Sequence, residues 1–112
     1  MEFKASHRFA RISARKVRDV AALVRRRPAE EAVEVLTFVH NRGATMLNKV
    51  LRSAIANAGT KAPADELWIR EVRVNEGPTL PMRWQPGPRG AAMPIRKRTS
   101  HIIVVLTDQA GE

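Results

Sequence analysis

The residues of this chain that could do chemistry are mostly cations, and they are clustered. Arg8, Arg11, Arg15, Lys16 and Arg18 surround Ser13 near the start, and Arg83, Arg89, Arg96, Lys97 and Arg98 punctuate a stretch near the end. Arginine offers a planar fork of N–H donors that fits phosphate oxygens two at a time, and lysine adds a mobile point charge. Residues 1–28 hold nine Lys/Arg against two acids, 29–77 hold six against seven, and 78–107 hold five with no acid. The formal net charge of +9 is therefore carried by two segments. Charge placed only for solubility mixes its signs along a chain. Confinement to two segments points to two contacts with a polyanion.

Catalytic groupings are missing. His7, His40 and His101 have no metal-ligand spacing with acidic partners, and there is no cysteine. Ser100 and His101 are neighbours, but neighbours on a strand point to opposite faces, and no carboxylate orients the pair. Glu30, Glu31 and Glu34 suit the first turns of a helix, and no glycine-rich phosphate loop precedes a Lys-Ser/Thr pair. No enzyme activity, metal or cofactor is expected.

The elements that must position the cations can be read coarsely. The 112 residues suit one small domain, and 44% hydrophobic content suffices for a core. Residues 2–10 alternate, with Phe3, Ala5, His7 and Phe9 on one side and Lys4, Ser6 and Arg8 on the other, which predicts a half-buried strand. Ser13 is placed to cap a helix whose apolar face is Val17, Val20, Ala21 and Val24, with Arg25, Arg26 and Arg27 at its negative end. Pro28 begins a second helix with face Ala32, Val35, Leu36 and Val39. Asn41 caps a third of some 17 residues, bearing Met46, Leu47, Val50, Leu51, Ala54, Ile55 and Ala58 and stopped by Gly59. A loop over 60–65 leads to a strand at 67–74, and 102–107 reads as a central strand. The start has no apolar signal segment, and no apolar run reaches a membrane span.

Residues 78–100 do not suit a core. Pro78, Pro81, Pro86, Pro88 and Pro94 exclude a helix and a central strand, because proline lacks the N–H each requires. A two-stranded ribbon remains, turning near Pro86-Gly87-Pro88-Arg89-Gly90, with legs of about ten residues and a length of roughly 30 Å. Such a ribbon is marginal alone in water. Its arginines would meet phosphates and Trp84 could stack on a base. On the first helix Arg15 and Arg18 share a face, and the helix start adds free N–H groups.

Four segments in order resemble the large-subunit ribosomal protein twenty-two family. They are Ile12-Ser13-Ala14-Arg15-Lys16-Val17-Arg18, Lys49-Val50-Leu51 with Ser53-Ala54 and Ala56-Asn57-Ala58, Glu76-Gly77-Pro78, and Lys97-Arg98-Thr99-Ser100-His101-Ile102. The resemblance implies an α+β fold, with three helices packed on a small three-stranded antiparallel sheet and a long protruding β-hairpin. In that scheme 1–112 form one domain, with a globular part at 1–77 and 100–108 and the hairpin at 78–99. The implied function is that of a structural constituent of the large ribosomal subunit, cytoplasmic and in the ribosome. It would bind 23S-type ribosomal RNA, support assembly, and line the nascent-peptide exit tunnel with its hairpin. Neighbouring ribosomal proteins and the nascent peptide would be partners, without a membrane or a homo-oligomer. Arg8, Arg11, Ser13, Arg15, Lys16, Arg18, Arg83, Trp84, Arg89, Gly90, Arg96, Lys97, Arg98, Ser100 and His101 become the RNA-binding candidates. The chain departs from the family in the hairpin: the first leg reads one residue longer around Pro81, and Met82, Gly87 and Ala91 replace basic positions.

Two other readings compete. A DNA-bending architectural protein can carry an arginine- and proline-bearing ribbon arm, but as a dimer with two arms on one duplex. A membrane-surface binder would need a basic amphipathic helix with an exposed apolar face.

Overall fold

The computed structural model describes residues 2–59, 61–77, 80–86 and 92–108, with side chains at 2–59, 61–77 and 98–108. Strand β1 (Glu2–Ala10) and strand β2 (Trp68–Glu76) flank strand β5 (Ser100–Thr107) in an antiparallel sheet of order β1-β5-β2. The near-continuous apolar run of β5 is what a central strand requires, since it has a neighbour on each edge. Ile102, Val104 and Leu106 face the helices and are buried.

Helices α1 (Ala14–Val24), α2 (Ala29–Phe38) and α3 (Arg42–Ala58) cover that inner face. The α3 helix is the centre of the core. Asn41 Oδ1 accepts from Ala44 N–H at 2.7 Å, Gly59 at φ 53° stops the helix, and Leu47, Val50, Leu51, Ala54 and Ala58 are buried between these signals. Asn57 Nδ2 donates to the Lys4 carbonyl at 2.9 Å and ties α3 to β1. A short 3-10 turn at Ala64–Glu66 occupies the end of the segment expected to be loop.

The end of α1 falls short of expectation. It closes at Val24, so Arg25, Arg26 and Arg27 do not lie in its last turn. Residues 27–29 instead run beside the start of β2. Ile69 N–H donates to Arg27 O and Ala29 N–H to Leu67 O, both at 2.9 Å, and Pro28 bridges Trp68. Hydrogen bonding to a strand edge outcompetes another helical turn, and Arg26 reverses the chain at φ 59°. Pro28 takes the N-cap of α2, and Glu30 and Glu31 sit in its first turn.

The second departure is in β1. Phe3 and Ala5 face the core, but the register shifts between His7 and Ala10, so Arg8 and Phe9 together oppose His101. The bulge turns Phe9 outward to 52% exposure and brings Ala10 into the core.

Strands β3 (Leu80–Pro86) and β4 (Ala92–Lys97) form a separate two-stranded antiparallel sheet. Both strands are edges, where a proline costs no ladder bond if its missing N–H faces outward. The paired legs have seven and six residues, shorter than the expected ten. The pairing runs from Leu80↔Lys97 to Pro86↔Ala92, with a bulge between Pro81 and Arg83. That bulge lies where the sequence is expected to run one residue longer than in the family it resembles. The expected turn at 87–90, including Arg89 and Gly90, lies outside the described residues. The principal extents are 60 × 23 × 20 Å and the radius of gyration 17.0 Å, against about 13 Å for a compact domain of this size.

Candidate nucleic-acid interface

Three chain segments converge where the ribbon leaves the domain. The start of α1, the end of β2 and the start of β5 enclose a cleft of about 340 Å³, lined by Ser13, Ala14, Arg15, Glu76, Gly77, Arg98 and Thr99. Gly77 makes this convergence possible. Its N–H donates to Thr99 O at 2.9 Å, and a Cβ there would stand 2.6 Å from Thr99 Oγ1, so a larger residue would have to displace the Thr99 side chain.

The charge of the cleft favours an anion. Arg15 and Arg98 face one acid, Glu76. Ser13 occupies the N-cap of α1, but its hydroxyl makes no capping bond, contrary to the expected cap, and the first turn holds no acidic residue. The positive end of the helix dipole at the cleft is therefore not offset by its own first turn.

Arg18 has an internal task. Its Nε and Nη2 donate to Val74 O at 3.1 and 2.8 Å, forking α1 onto β2. A charged donor pair of this kind contributes about 1.5–3 kcal/mol, and Arg18 holds α1 to β2 without lining the cleft. Arg11 and Lys16 are exposed and stand outside the cleft. Ser100 is also placed against expectation. It is 0% exposed and its Oγ has no hydrogen-bond partner, so its hydroxyl is not offered at the surface.

His101 points out of the sheet beside the cleft. Its Nδ1 accepts from Phe9 N–H at 3.0 Å, which leaves the ring proton of the neutral form on Nε2. The Phe9 and His101 rings meet edge to face, with centroids 4.9 Å apart and planes at 88°. The guanidinium carbon of Arg8 lies 5.6 Å from the Phe9 ring centroid.

The ribbon candidates are placed by backbone register. Arg83 opposite Ile95 and Trp84 opposite Pro94 lie on β3, with Arg96 opposite Pro81 and Lys97 opposite Leu80 on β4. Lys97 thus stands at the root, one residue from Arg98 in the cleft.

Two groups escaped the sequence reading. Alternation places Phe9 on the side of Phe3 and Ala5, because it cannot reveal a bulge. Arg25, Arg26, Arg70 and Arg73 line a second cleft of about 370 Å³ where 25–27 meets β2. Arg70 pairs with Glu2, and Arg73 Nε lies 2.8 Å from Glu71 Oε1. The near-neutral charge of 29–77 concealed Arg70 and Arg73, since counting along the chain averages them with distant acids, and Arg25 and Arg26 read only as the end of the first helix.

The chain is thus a small α+β domain with a cationic cleft at the root of an arginine-bearing ribbon. Residues 5–107 match the family described as ribosomal protein L22p/L17e. The large ribosomal subunit protein uL22 of Akkermansia muciniphila is 48% identical over 113 residues, covering 99% of this chain and 100% of that protein. The chain belongs to the ribosomal protein L22p/L17e family, as its four motif segments implied.

Proposed function

We propose that this protein is a structural constituent of the large ribosomal subunit. It binds the subunit's RNA, supports its assembly, and extends the β3–β4 ribbon along the nascent-peptide exit tunnel. Its partners are 23S-type RNA, adjoining ribosomal proteins and, at the ribbon tip, the nascent peptide. Its place is the cytoplasmic ribosome.

The observation that carries this reading is the cleft of Arg15, Arg98 and the α1 start at the ribbon root, in a chain of this family. A phosphate seated there would fix the domain and aim the ribbon. The cleft of Arg25, Arg26, Arg70 and Arg73 supplies a second cationic surface at the other end of α1. With 11 residues at about 1.5 Å each, α1 sets the two clefts roughly 16 Å apart.

The test is binding of the full chain to a large-subunit ribosomal RNA transcript and to duplex DNA of similar length, across a salt series. Preferential RNA binding is expected, falling steeply with salt at roughly one power of concentration per phosphate contact. A flat salt dependence would remove the electrostatic argument, and a stable homodimer that bends the DNA would replace this reading with the architectural one.

A further inference from the structure

We propose that Phe9 is a stacking platform for an unpaired nucleobase, held in place by Arg8 and His101; this rests on the RNA-binding reading above. Three observations converge on this residue. Phe9 has φ 59°, a left-handed conformation that bulky side chains rarely adopt. The strain is not relieved by burial, because the bulge that imposes it turns the ring outward to 52% exposure. The ring is also fixed in orientation, since the Phe9 N–H bond to His101 Nδ1 sets the backbone and the His101 ring meets it edge to face. An exposed ring that only filled space would need neither the strain nor the bracing. Strained backbone of this kind gathers at functional positions.

The surroundings select the ligand. Arg8 lies over one face of the ring, where its charge attracts a phosphate and leaves the base to the rest of the ring surface. His101 links the platform to the cleft. A Cβ at Gly77, which lines the cleft, would stand 3.4 Å from His101 Nε2. A flat aromatic face beside a cationic cleft suits a nucleotide unit, with its base on Phe9 and its phosphate toward Arg15 and Arg98. A base within a duplex has both faces stacked, so the partner is a base from a loop, bulge or single strand.

The test measures binding of the full chain to a large-subunit ribosomal RNA transcript for wild type, Phe9→Tyr, Phe9→Leu and Phe9→Gly, with thermal melts of each. Phe9→Tyr keeps the π face and should bind within about twofold of wild type. Phe9→Leu and Phe9→Gly should bind about tenfold more weakly, in line with the loss of one base stack. Their dependence on salt should be unchanged, because no phosphate contact is removed. Phe9→Gly relieves the positive φ and should melt at or above the wild-type temperature. Leucine binding like wild type, or glycine lowering the melting temperature without weakening the RNA complex, would make Phe9 a packing residue and overturn the platform. Failure of the wild-type chain to bind the transcript would instead sink the RNA-binding reading itself.

Discussion

In the domain, β5 is paired along both edges and three helices close over its inner face. In the ribbon, β3 and β4 are paired with each other and, among the described residues, with no third strand. Both are antiparallel sheets from one chain, but they draw on different sources of order. The domain is organised by apolar burial around Leu47, Leu51, Ile102 and Leu106. The ribbon holds prolines and arginines where a core sheet would place β-branched residues, and a two-stranded sheet is marginal alone in water. The difference suggests a division of work: the domain provides the rigid mount, and a polyanionic surrounding completes the ribbon.

The largest effect should come from the core. Leu51→Ala should destabilise the chain by about 3 kcal/mol in urea unfolding. Replacing 80–97 by a four-residue glycine-serine link should change stability by about 1 kcal/mol or less, the scale of loop-closure entropy. A ribbon deletion as damaging as the core truncation would break the contrast. Next is the junction. Gly77→Ala sets a methyl against Thr99 and should cost about 2 kcal/mol, because both segments are held by the main sheet. An unchanged melting temperature would show that Thr99 yields freely.

A third comparison sets root against tip. Combined Arg15→Ala and Arg98→Ala should weaken binding to large-subunit RNA about tenfold, or ~1.4 kcal/mol, while Arg89→Ala should weaken it less. A larger effect of Arg89→Ala, by filter binding at one salt concentration, would move the main contact to the tip. The smallest effects distinguish two helix starts. Asn41→Ala removes an observed cap and should cost about 1 kcal/mol, whereas Ser13→Ala removes no capping bond and should cost a few tenths. Equal losses in thermal melts would mean Ser13 does cap α1 in solution.

Much of this contrast was legible in the residue order. Five prolines from Pro78 to Pro94 excluded a core element, and Asn41 and Gly59 bracketed α3. What escaped depended on spatial relations that periodicity does not contain. The β1 bulge expelled Phe9, because two residues oppose one only once β1 has met β5. The splice of 27–29 onto β2 ended α1 early, because its hydrogen-bond partner lies some 40 residues away in sequence. The cleft was half visible: Arg15 and Arg98 stood out as candidates, but only the fold sets them around Gly77. Arg18 was visible as a cation, and its use on Val74 O was not.

The most direct test of the central claim is sucrose-gradient sedimentation of the tagged full chain from cell lysate, with and without ribonuclease. Co-migration with the large ribosomal subunit, lost on digestion of the RNA, is the expected result. Migration as a small free species without ribonuclease, or with DNA after it, would contradict the ribosomal account.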